Sequence, residues 1–111
     1  MTPLERLLLR VMPYGISVIS VATGLPMALG MIAPNRFYGI RTARTMADPE
    51  VWYATNTAGG MAMVVFGIAS VIAIYLLHRF WGTDSKLKLV IPVFVPVFFA
   101  LCAIDITFRY A

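Results

Sequence analysis

Charged residues divide the chain into three long uncharged runs. Twenty-five residues separate Arg10 from Arg36, and 27 separate Glu50 from His78. A helix that crosses a bilayer needs about 20 predominantly apolar residues, so each of these runs suffices. Only 16 residues lie between Lys88 and Asp105, so a third spanning helix must continue past Asp105 to Phe108. The pattern predicts transmembrane helices at 11–33, 53–77 and 88–109, with a long loop over 34–52 between the first two. The expected fold is an all-α integral membrane protein, one three-helix domain over 1–111. A cleaved signal peptide competes for the first run, with Arg6 and Arg10 before it and Ala28-Leu29-Gly30 after Pro26. The run is longer than a signal core, so a retained span is expected.

Composition agrees with that reading. Hydrophobic residues make up 60% of the 111 positions and charged ones 13%, against about 45–50% and about 25% in soluble domains. Disorder and a collagen-like chain are excluded, and a single cysteine, Cys102, excludes a disulfide scaffold. The net charge of +4 therefore concerns anionic lipid and orientation rather than nucleic acid. Three spans place Arg6, Arg10, Arg79, Lys86 and Lys88 on one face and Arg36, Arg41, Arg44 and Arg109 on the other. Five cations against four favour a cytoplasmic N-terminus, provided the loop arginines are tied up in internal pairs.

Small residues mark the expected helix contacts, because helices in lipid associate by close packing and internal hydrogen bonds. Ser20, Gly24 and Ala28 form one stripe; Gly60 with Gly67, and Ala69 with Ala73, form others. Pro26, Pro92 and Pro96 each remove a helical hydrogen bond and are expected to act as packing bends. Cys102 and the scattered methionines read as apolar filling, and His78 as an interfacial anchor.

The loop carries the most specific signal. Passive connections between helices are usually about 2–8 residues, whereas this one is longer and mixes arginines, aromatics and threonines. Asp48-Pro49-Glu50 reads as a helix start, with Asp48 as cap and Pro49 in the first turn. Trp52 and Asn56 then share a face with Gly59 and Gly60, and Asn56 should face protein rather than lipid. The order Asn35, Tyr38-Gly39, Arg41-Thr42, Thr45, Asp48, Trp52, Asn56, Gly59 resembles the signature of the SdpI family. That family is one of small bacterial membrane proteins named for an immunity protein against a secreted peptide toxin. The resemblance implies a bacterial cytoplasmic membrane location and a short, single-module member. It also implies a role in intercepting a toxin or in sequestering a partner at the membrane. The motif residues Asn35, Tyr38, Gly39, Arg41, Thr42, Arg44, Thr45, Trp52 and Asn56 are the expected partner-binding set.

Asp105 joins that set on different grounds. An intramembrane carboxylate costs a few kcal/mol unless paired, and Asp105 falls on the loop side of the bundle. A cluster of Arg41, Asp105, Asn56 and Tyr38 is expected there, with Arg41 preferred over Arg109 as the counter-ion. No catalytic constellation, metal-ligand cluster or cofactor fingerprint is present, so neither enzyme activity nor a cofactor is expected. The leading expectation is a binding or immunity module acting on a peptide toxin or a membrane protein. The alternatives are an accessory subunit of a larger complex and a transporter-like homo-oligomer using Asp105.

Overall fold

In the computed structural model, which describes residues 1–110, every regular element is helical. Helix α1 spans Pro3–Ala28, α2 Ala43–Ala47 and α3 Pro49–Leu76. A π-helical turn, Leu77–Trp81, extends α3. Helix α4, Lys86–Val90, runs through a 3₁₀ turn, Ile91–Phe94, into α5, Val95–Tyr110. Three of the resulting rods, Pro3–Ala28, Pro49–Trp81 and Lys86–Arg109, are long and apolar enough to cross a membrane. The bundle is 51 Å long, which carries both ends beyond a hydrocarbon core of about 30 Å.

Helix α1 starts and stops earlier than 11–33, and local chemistry explains both ends. Thr2 accepts from the Glu5 N–H (3.1 Å) while Glu5 accepts from the Thr2 N–H (3.3 Å), a capping box with Pro3 at the first position. Arg6 and Arg10 therefore lie on the helix itself. At the other end Gly30, at φ 69°, takes the left-handed conformation that closes a helix, so α1 stops at Ala28. Helix α3 begins at Pro49, with the Asp48 carboxylate accepting from the Glu50 N–H at 2.9 Å.

Helix α3 is the centre of the bundle, and α1 and α5 lie against it. The α1–α3 crossing is set by glycine. A Cβ on Gly60 would stand 2.4 Å from the Ala28 nitrogen and 2.6 Å from the Gly24 carbonyl oxygen, and one on Gly24 would meet Met63 at 2.7 Å. Ser17 and Ser70 share a 2.7 Å hydrogen bond between the same helices, and Ser20 donates to the Met63 carbonyl at 3.1 Å. On α5 the interior face is marked by Pro96, Ala103 and Thr107, and Phe99 stacks on Phe66 of α3 at 6.0 Å.

Helices α1 and α5 meet mainly where α4 and the 3₁₀ turn approach α1, and they diverge towards the loop. The divergence leaves a cavity of about 190 Å³ between them, floored by α3. Pro13 and Pro92 are both buried at the converging end. Pro13 lies inside α1 and removes the bond to the Leu9 carbonyl.

Candidate functional site

The segment from Met31 to Thr42 has no helix of its own, so its backbone groups need other partners where water is scarce. The family-like motif supplies them. The Asn35 side-chain oxygen accepts from the Phe37 N–H (2.8 Å) and the Tyr38 N–H (2.7 Å). Its amide donates to the carbonyls of Ala33 (2.8 Å) and Tyr38 (2.9 Å). Asn35 thus closes a turn on both sides. The Tyr38 hydroxyl donates to the Thr23 carbonyl and ties that turn to α1.

Beyond the turn, Gly39 has φ 114°, a conformation that L side chains rarely adopt. A Cβ there would also stand 2.7 Å from the Asn56 Oδ1 and 3.1 Å from the Trp52 ring. This close approach lets Asn56, 2% exposed, bridge the strand-like segment to α3. Its Oδ1 accepts from the Ile40 N–H at 2.5 Å, and its Nδ2 donates to the carbonyls of Trp52 (3.0 Å) and Ile40 (3.3 Å). Trp52, fully buried one turn earlier, donates from Nε1 to the Ile32 carbonyl at 2.9 Å. The loop is held on α3 at both of its ends.

Helix α2 is fixed by a reciprocal threonine cap. Thr42 accepts from the Thr45 N–H (3.2 Å), and the buried Thr45 hydroxyl accepts from the Thr42 N–H (2.7 Å). Thr45 also donates to the Ile40 carbonyl at 3.0 Å. Ile40 itself packs into the notch left by Gly59, where a Cβ would stand 2.3 Å from its Cδ1.

The arginines do not share in this network in the expected way. Asp105 pairs with Arg109, Nε to Oδ2 at 3.0 Å, not with Arg41. The two residues are four apart, which places them together on one helix face. That face is the wrong one for the loop. Asp105 lies two positions from both Ala103 and Thr107, about 200° around the helix, and those two are buried while Asp105 is exposed. The expected four-residue cluster therefore separates. Asn56 and Tyr38 hold backbone, Arg41 is exposed, and Asp105 projects from the outer side of α5.

The loop's outward surface is consequently cationic and aromatic. Arg36, Arg41 and Arg44 are exposed, and Phe37, 92% exposed, stands next to Arg36. Among the described residues neither Arg36 nor Arg41 forms an ion pair. Phe37 and Ile40 were absent from the sequence-derived set. Only their position inside the motif, one outward and one inward, could have singled them out.

No curated protein and no solved structure matches the chain. A family model does, over residues 31–108, which begins at the first loop residues and runs through α3 and α5. By that match, over the loop and the helices that receive it, this multi-pass membrane protein belongs to the SdpI/YfhL protein family.

Proposed function

We propose that the protein is a binding module of the immunity type, which intercepts an amphipathic peptide toxin at the membrane surface through the 31–48 loop. The observation that carries this reading is the division of labour within the loop. Asn35, Tyr38, Thr42, Thr45, Trp52 and Asn56 spend their polar groups on holding backbone, whereas Arg36, Phe37 and Arg41 face outward. A rigid scaffold that presents an aromatic between cations loses little entropy on binding, which is what a recognition surface requires. The role is one of binding rather than catalysis. With Arg36 and Arg41 unpaired among the described residues, the condition under which five cations against four would set the N-terminus in the cytoplasm is not met; a cytoplasmic N-terminus in a bacterial inner membrane belongs to this proposal instead. The loop then faces outward, the side from which a secreted peptide arrives.

Survival of cells challenged with secreted antimicrobial peptides, with and without expression of the protein, tests the proposal. Protection should be lost in Arg36→Gln/Phe37→Ala at unchanged membrane abundance. Equal survival of the double variant and the parent would refute the loop as the recognition surface.

A further inference from the structure

The cavity between α1 and α5 is a lateral groove rather than a closed void. Ile16 on one lip and Ile104 and Phe108 on the other are 38%, 52% and 54% exposed, so it opens to the surroundings of the bundle. Its floor on α3 runs from Gly59 to Ser70, about 16 Å of helix. One leaflet of a bilayer has a hydrocarbon depth of about 15 Å. The groove starts at the loop end, under Ile40, and reaches the middle of the bundle.

Its polar lining is already satisfied. Ser17 and Ser70 bond to one another, Ser20 to the Met63 carbonyl, and Thr107 to the Ala103 carbonyl at 2.7 Å. A guest therefore needs no hydrogen-bonding groups. An extended peptide segment would bring backbone N–H and C=O groups that nothing in the groove could pair, at a cost of several kcal/mol, and a helix, about 10 Å across with its side chains, is too wide for a cavity of about 190 Å³. Hydrocarbon brings none. Cavities of about 150 Å³ with apolar walls stay dry and accept apolar guests, and this one holds about 190 Å³.

At the loop end the chemistry changes sign. Ile40 closes the groove, and the next residue, Arg41, is exposed; with Arg36 it forms no ion pair among the described residues. The uncompensated Arg41 guanidinium beside the groove mouth favours a phosphate, and anionic lipid over zwitterionic. We propose that the groove holds one acyl chain of an anionic phospholipid, whose headgroup is met by Arg41. The lipid completes the bundle by filling the gap that the divergence of α1 and α5 leaves open.

Native mass spectrometry of the detergent-solubilised protein, exposed to mixed micelles of phosphatidylglycerol and phosphatidylcholine, tests this. The intact chain should retain phosphatidylglycerol in preference to phosphatidylcholine. Ala100→Phe, from an exposed position on the groove lip, should reduce retention of both lipids by at least about tenfold, the scale on which pockets discriminate by a methylene or two. Circular dichroism and the thermal midpoint verify that this variant folds, and Ile16→Trp blocks the groove independently from the opposite lip. Arg41→Gln should abolish the headgroup preference while leaving an acyl chain bound. The proposal is overturned if a folded Ala100→Phe or Ile16→Trp retains lipid like the parent, or if the parent takes the two lipids equally. It is equally overturned if groove blocking leaves lipid retention intact and removes peptide binding instead.

Discussion

The two ends of the bundle solve the same problem with different means. At the loop end, a dozen residues of irregular backbone are held by side chains that the sequence places for that purpose: Asn35, Tyr38, Thr45, Trp52 and Asn56. At the other end, the connection between Trp81 and Lys86 is short and mostly pairs with itself and its surroundings. Arg6 donates to the Thr83 carbonyl at 2.8 Å, and Lys88 pairs with Asp84 at 2.9 Å on the surface. Both nitrogens of His78 are shielded without a hydrogen-bond partner, and its ring makes an edge contact with Tyr14 at 5.6 Å. Buried polar partners cannot be exchanged for water, whereas exposed ones can. The loop end should therefore be intolerant of substitution and the opposite end permissive.

Asn56→Ala provides the largest break in that contrast. It removes three hydrogen bonds and leaves the Ile40 N–H without its acceptor, which should cost about 3 kcal/mol. Unfolding in a mixed-micelle titration with sodium dodecyl sulfate measures it. Asn35→Ala, which loses four bonds at a more exposed site, should cost less because water takes over. If Asn35→Ala proves the more damaging, burial is not what separates the two. Gly60→Ala comes next. Its Cβ would collide with the backbone of Gly24 and Ala28 rather than with a flexible side chain, so α1 must move away, at about 2 kcal/mol. Trp52→Phe deletes the bond to the Ile32 carbonyl and leaves a gap where the wider indole packs against Gly39, for about 2 kcal/mol.

These expectations also mark what the sequence could reveal. The three spans follow from charge spacing, and the loop stood out because Asn35, Thr42, Thr45 and Asn56 have no reason to crowd a passive turn. What stayed hidden is rotation. A helix that is apolar all round carries no amphipathic stripe, so nothing in the pattern said which side of α5 faces α3. The interior side is written instead in Pro96, Ala103 and Thr107. Placing Asp105 against those residues would have turned it away from Arg41. The ends of α1 were legible in Thr2, Glu5 and Gly30, but charge gaps overrode them. The Ser17–Ser70 bond and the groove depend on how two rods diverge, which no single stretch of sequence encodes.

The Asp105–Arg109 pair tests the corrected rotation. Both side chains are well exposed in the last turns of α5, where the 51 Å bundle extends past a hydrocarbon core of about 30 Å, so Asp105→Asn should cost no more than about 0.5 kcal/mol. The double exchange Arg41→Asp with Asp105→Arg should show no coupling beyond the sum of its single changes. A rescue in the double variant would return Asp105 to the loop and break the contrast at its most specific point.

The smallest effect belongs to Lys88 and Asp84. The hydrogen bond from Lys88 holds the Asp84 carboxyl below its ordinary pKa, helped by the backbone and by the Lys88 charge. A carboxylate whose folded pKa is depressed contributes stability above its unfolded pKa, and loses it as the pH falls through the folded value. The direction is therefore a slight loss on acidification, confined to the acid side of the ordinary carboxylate range. Asp84 is fully exposed, so water and salt screen the pair and the loss should vanish at high ionic strength. Thermal midpoints of the parent and Lys88→Gln, compared across that pH range at low and high salt, read it directly. A pH dependence that survives both the substitution and high salt would belong to a titrating group other than Asp84. His78, its nitrogens shielded behind Tyr14, would then be the residue to replace, and the permissive end would have to be redrawn around it.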